Sequence, residues 1–175
     1  MRILVTAFEP YGGNDTNISQ KVLDAIPTDV AKLLLPVSFR RAPEVLNEAI
    51  EQFQPDVIIS MGQAAEGDKI RLEHLAINMM DSAKGDNDGY MPNEELICPE
   101  APLALKTALP VKQLCADCIN AGLPTMVSNS AGLYVCNRIY FEELRRTLNS
   151  LFVHIPKNMD LEIAKQVINS LIRKL

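Results

Sequence analysis

Residues 30–60 read VAKLLLPVSFRRAPEVLNEAIEQFQPDVIIS, and this one stretch sets the class of fold. An apolar run over 30–35 is closed by Pro36. Pro43 then opens a segment in which Val45, Leu46, Ala49, Ile50 and Phe53 recur with the period of a helix, and a second apolar run follows over 57–60. Two short apolar runs flanking one amphipathic helix form a strand–helix–strand unit, the element from which parallel sheets are built.

The pattern continues in both directions. Upstream, the β-branched run over 3–6 is closed by Pro10 and the Gly12-Gly13 pair, which reads as a buried strand feeding a tight loop. Val22, Leu23 and Ile26 then share one face of a helix that Pro27 stops and for which Ser19 is the candidate cap. From 62 to about 109 the periodicity weakens around AKGDNDGYMPNEE, and the stretch reads as loop and irregular strand. Order returns with a helix over 111–121 closed by Gly122 and Pro124, a strand over 126–128 and a helix near 137–148. A strand over 151–155 and a helix capped by Asp160 complete the chain. Such alternation predicts an α/β fold, a three-layer α/β/α single domain over 1–175 with a mostly parallel twisted sheet.

Composition narrows the function. The 175 residues carry 17 Lys and Arg against 22 Asp and Glu, a formal charge of −5, and no basic cluster suited to a phosphate backbone. No nucleic acid partner is expected. No apolar run approaches the ~20 residues of a membrane span, and the start MRILVTAFEP is too short for a signal-peptide core, so a soluble cytoplasmic protein without a membrane partner is expected. In that reducing compartment Cys98, Cys115, Cys118 and Cys136 are thiols, not disulfides. Cys115 and Cys118 form a CxxC, but no second CxxC or paired His completes a metal site, and they read as helix packing beside Leu114 and Ile119. Gly12-Gly13 lacks the frameworks of dinucleotide and triphosphate cradles. Neither a metal nor an organic cofactor is implied.

In open α/β sheets the functional loops lie beyond the carboxyl ends of the strands. That rule selects FEPYGG, MGQAAEG, SNSAGLYVCN and the end of the strand that carries His154. Cys136 precedes a helix, where free N–H groups and the helix dipole favour a thiolate and can hold an oxyanion. A thiol, a histidine on a neighbouring strand and a carboxylate to orient it form a nucleophile constellation, with Glu73 the candidate carboxylate. By position alone Cys136 reads more readily as a buried small side chain, His154 as a structural histidine and Glu73 as part of a solvated face.

The blocks TAFEPYGG with Asn17-Ile18-Ser19, MGQA, LEHLAIN, DNDG, SNSAGLYVCN and FVHIP occur in the order and approximate spacing of pyroglutamyl peptidase I. The chain resembles that pyrrolidone-carboxylate peptidase family of cysteine exopeptidases from about residue 2 to residue 156. The resemblance implies a phosphorylase/hydrolase-like fold, with Cys136 as nucleophile, His154 as general base and Glu73 as the group that orients it. It implies a substrate peptide with an N-terminal pyroglutamate, whose ring meets Phe8, Tyr11, Tyr134 and Val135, while Asn17 and Gln63 hold the lactam and its surrounding loops. It also implies a homotetramer.

The chain departs from the family pattern at several points. The family's Arg beside the oxyanion falls on Ala83, and the next position is Lys84, a candidate replacement cation at the oxyanion. Ala65 and Glu66 stand in place of a Gly pair, Val37 replaces a Thr, and the interval from Cys136 to His154 is somewhat short. Two other readings therefore stand beside the peptidase: a diverged, non-catalytic binding protein on the same scaffold, and an amidohydrolase of another small lactam or acyl amide.

Overall fold

A computed structural model describes residues 1–27 and 29–175. β1 (Ile3–Phe8) is the strand expected from the first apolar run, and α1 (Ile18–Ala25) follows it. The cap of α1 is Asn17, not Ser19: Asn17 Oδ1 accepts from the Ser19 N–H, and the Ser19 hydroxyl accepts from the N–H of Phe8, which ties the helix start to the end of β1. β2 (Ala31–Leu35), α2 (Arg41–Phe53) and β3 (Val57–Ala64) form the strand–helix–strand unit of residues 30–60. β3 runs four residues beyond its expected end and takes Gly62 and Gln63 into the sheet.

The weakly patterned middle holds β4 (Ile70–Glu73), and a two-stranded antiparallel ribbon joins β5 (Leu75–Ile77) to β6 (Ala104–Lys106). α3 (Val111–Asn120), β7 (Thr125–Ser128), α4 (Val135–Arg146), β8 (Ser150–Pro156) and α5 (Leu161–Lys174) complete the order. Asp160 caps α5 by accepting from the N–H groups of Glu162 and Ile163, as its sequence predicts. In α3 Leu114, Cys115 and Cys118 are buried, whereas Ile119, expected beside them, is 53% exposed.

The main sheet has the order β2-β1-β3-β8-β4-β7. β1, β2, β3 and β8 are parallel, and β4 pairs antiparallel with β8 while running parallel to β7. The two strands on that side are therefore reversed, so the carboxyl ends of β4 and β7 lie at the opposite end of the sheet from those of β1, β3 and β8. The rule that placed SNSAGLYVCN beyond a carboxyl end fails for β7: its last residue, Ser128, pairs with Glu73, which pairs with Phe152.

Strand side chains alternate between faces. One face presents Val5, Ile59, Met61, Leu72, Leu151 and Val153 to α1, α3 and α5. The other presents Leu4, Phe8 and Phe152 to α2 and α4, together with the polar side chains of Thr6, Ser60, Glu73 and His154. Among the described residues no helix is long and apolar enough to cross a membrane.

α4 is held to its face by a buried carboxyl group. The Ser60 hydroxyl hydrogen-bonds Glu143 Oε1 and lies 2.7 Å from the Thr6 hydroxyl, so β1, β3 and α4 meet at one polar point. Burial pushes the Glu143 carboxyl up from near 4.5 to about 8, against the opposing hydrogen bond from Ser60. The folded protein then keeps a proton that the unfolded chain loses near pH 4.5, and stability falls as pH rises from there to about 8, by on the order of 1 kcal/mol per pH unit. Urea unfolding of wild type and Glu143→Gln across this range checks it. The expected result is a stability difference that grows in favour of the glutamine variant as pH rises. A difference independent of pH would contradict the account.

Candidate active site

His154 sits near the end of β8, pairs in the ladder with Gly62 on one side and Arg71 on the other, and turns its ring to the α4 face. Its Nδ1 lies 2.8 Å from Glu73 Oε1. Glu73 is fully buried on β4, and the antiparallel pairing of β4 with β8 sets it opposite Phe152, next to the α4 face that carries His154. Since a carboxylate only accepts, Nδ1 carries the proton and Nε2 is left with a lone pair. Arg71 Nε is 3.7 Å from Glu73 Oε1, too long for a hydrogen bond, and both Arg71 Nε and Glu73 Oε2 lack hydrogen-bond partners among the described residues.

Cys136 is the second residue of α4, with Tyr134 as the cap. Segment 129–134 returns from the end of β7 to set it over the sheet above Gly62. A Cβ on Gly62 would lie 2.7 Å from the Cys136 sulfur and 3.0 Å from the Phe152 ring, so only a glycine leaves room for this approach. Along α4, Cys136, Tyr140 and Glu143 form one stripe at helical spacing. Tyr140 donates to the Glu73 carbonyl (2.9 Å) and Glu143 is bonded to Ser60. Asn137 fixes the start of the helix through Ile77 N–H (2.8 Å), Ile77 O (2.8 Å) and Met79 O (3.0 Å). The Asn in VCN is thus a buried anchor.

Cys136 and His154 share the wall of a cavity of about 150 Å³, and Phe8, Tyr11, Asn17, Gln63, Tyr134 and Val135 all line it, with Val37 and Ala131. Among the described residues no Asp, Glu, Lys or Arg does. Asn17 and Gln63 also shape the loop that follows β1: Asn17 Nδ2 donates to Glu9 O (3.0 Å) and Gln63 Oε1 accepts from the Ile18 N–H (3.0 Å). The two tyrosines face each other with ring centres 6.2 Å apart, and the Tyr134 hydroxyl donates to Gly85 O (3.1 Å). Burial pushes both phenols up, Tyr134 to about 12, so both stay neutral donors.

Lys84 does not line this cavity. It borders an adjoining hollow that shares Tyr11, Gln63 and Tyr134 with the cavity. Three contributors were not singled out by sequence: Gly62, Tyr140 and Glu143. Gly62 had a usable signal, since a glycine inside a strand marks close approach of another group. Among the described residues no group of three or more His, Cys, Asp or Glu is placed to hold a metal ion.

The family model for pyroglutamyl peptidase matches residues 1–171. The chain is 38% identical to the pyrrolidone-carboxylate peptidase of Thermococcus kodakarensis over 167 residues, covering 89% of this chain and 81% of the relative. Its fold superposes on the crystal structure of pyrrolidone carboxyl peptidase from Thermus thermophilus with a TM-score of 0.94 at 31% identity, over 99% of this chain and 100% of that one. The corresponding structure from Fervidobacterium islandicum gives a TM-score of 0.95 at 30% identity, over 99% and 97%.

The thiol departs from the sequence expectation. Burial pushes Cys136 up to about 12, the nearby Glu73 carboxylate adds to this, and its backbone N–H and Arg71 oppose it only in part. Desolvation outweighs the helix terminus, and the resting group is a neutral thiol. Its reaction with iodoacetamide, followed by peptide mass mapping from about pH 6 to about pH 10, is expected to rise about tenfold per pH unit without levelling off. A plateau starting below neutrality would show a preformed thiolate and contradict this.

Proposed function

The chain belongs to the pyroglutamyl peptidase family, and from that premise we propose that it removes N-terminal pyroglutamate from peptides through Cys136, His154 and Glu73, by way of a thioester. The observation that carries the reading is a small cavity free of Asp, Glu, Lys and Arg whose wall is shared by the thiol and a histidine, with Glu73 2.8 Å behind the ring. A pyroglutamyl ring has an amide N–H and carbonyl but no free amine, so apolar walls with amide and phenol partners suit it better than a charged clamp. Gln63, Asn17 and the neutral phenol of Tyr11 are the polar groups available to it.

His154 Nε2 takes the Cys136 proton as the sulfur attacks the pyroglutamyl carbonyl carbon. Because the thiol starts neutral, this transfer occurs at the moment of attack. The N–H groups of the first turn of α4 are the donors available to the oxygen that becomes negative. His154 then gives the proton to the leaving nitrogen as the carbon–nitrogen bond breaks. A water, deprotonated by the same ring, attacks the thioester and frees pyroglutamate and the thiol. Glu73 holds the ring in one tautomer and stabilises it when it is cationic.

Release of a fluorophore from a pyroglutamyl amide tests the reading. Cys136→Ala is expected to abolish release with the fold retained. Gly62→Ala is expected to lower kcat by about 10- to 1000-fold, because a sulfur displaced by ~1 Å misses its attack geometry. Full turnover by Cys136→Ala would remove the mechanism, and a silent wild-type protein with an intact fold would favour the binding-protein reading.

A further inference from the structure

Among the described residues that line the hollow beside the cavity are two lysines and no acid. The hollow encloses about 450 Å³ and is lined in part by Ser82, Lys84, Gly85, Ala65 and Lys157. In a chain where acidic residues outnumber basic ones 22 to 17, a recess with two lysines and no acid among its lining residues runs against the overall charge. Tyr11, Gln63 and Tyr134 are walls of both spaces, so the hollow opens directly beside the cavity that holds Cys136 and His154.

Building on the pyroglutamyl peptidase reading, we propose that this hollow receives the peptide portion that leaves, and that Lys84 and Lys157 select substrates with an acidic side chain in the residue after pyroglutamate. A pyroglutamyl ring has nothing on its amino side, so the substrate continues only from the carbonyl that Cys136 attacks. With the ring in the cavity, the next residue lies past the shared walls.

The backbones that carry both lysines are fixed. The Lys84 N–H donates to the Ser82 hydroxyl (3.1 Å), which itself donates to Lys84 O (2.7 Å). Gly85, the next residue, is bound by the Tyr134 hydroxyl, so this loop is tied to the wall between the two spaces. The Lys157 N–H donates to Ala64 O at the end of β3 (3.1 Å). Lys84 forms no ion pair among the described residues, and Lys157 faces Glu66 at 3.4 Å across two largely exposed side chains. Such a pair is weak in water and yields to a carboxylate that arrives already positioned. The opposite charge on a substrate would meet repulsion from Lys84, which has no ion-pair partner among the described residues, while Glu66 already faces Lys157.

The test compares kcat/KM for pyroglutamyl-glutamyl and pyroglutamyl-lysyl dipeptide amides, measured as pyroglutamate released. Wild type is expected to favour the glutamyl substrate by about threefold to tenfold, the range open to partly exposed pairs, and to lose that preference at high salt. Lys84→Glu with Lys157→Glu is expected to invert the ratio, and each single variant to move it part of the way. The ratio is internal to each variant, so a general loss of activity does not mimic the effect. Equal use of both substrates by wild type, or a ratio unmoved by charge reversal, overturns the proposal while leaving the peptidase reading intact. Turnover of neither substrate overturns the peptidase reading and this inference with it.

Discussion

Helix α4 lies against the sheet at a spot where the strand beneath it has no side chain. At Gly62 the Cys136 sulfur occupies space that any Cβ would claim, with the Phe152 ring closing the other side. The rest of the site follows from that contact. It sets the height of the helix, the height sets where Tyr140 reaches the Glu73 carbonyl and where Glu143 reaches Ser60, and the start of α4, with Tyr134, Val135 and Cys136, forms part of the cavity wall. His154 pairs with Gly62 in the ladder, so the histidine and the space for the thiol are neighbours by register.

Apolar packing and polar chemistry share this face of the sheet on unequal terms. Fully burying Phe152, Tyr140, Phe141 and Ile139 stabilises by about 1.5–3 kcal/mol each. Against this stand Glu73 and Glu143, two buried carboxyl groups that each have one oxygen without a partner among the described residues, at about 1–3 kcal/mol per unsatisfied group. The aromatic contacts can therefore carry the polar ones, but the polar groups do not add stability. Glu73 gives the His154 imidazole its acceptor, and Glu143 ties α4 to the sheet through Ser60.

Much of the fold was legible because period and punctuation agree. Residues 30–60 and the helix capped by Asp160 are where expected, and in the regularly patterned parts of the chain some differences lie at element ends: β3 runs on through Gly62 and Gln63, and the cap moves from Ser19 to Asn17. β4 was not legible, since Ile70–Glu73 is four residues long, has polar side chains on the α4 face and is reversed, a property of pairing that a local pattern does not encode. Glu73 suffered most from this. It was the candidate carboxylate, but its residue type and position read as a solvated face, and the likeness of LEHLAIN to a family block is what favoured it. Cys136 and His154 could be reached from strand and helix ends, although the chain's route to Cys136 is not the one the carboxyl-end rule gives. Glu143 was missed because an acidic residue beside Glu142 and two arginines reads as helix surface. Lys84 was rightly noticed as unusual, but its side chain borders the neighbouring hollow and not the thiol.

The central claim is that the sulfur held over Gly62 forms a covalent bond with the acyl group of the substrate. Acid quenching during steady turnover of a pyroglutamyl amide, followed by mass analysis of the intact chain and its peptides, tests this most directly. The account predicts one pyroglutamyl adduct, on the peptide containing Cys136, labile to hydroxylamine as a thioester is. Turnover with no adduct at any quench time and no adduct trapped by hydroxylamine, or an adduct on Cys98, Cys115 or Cys118, would contradict it.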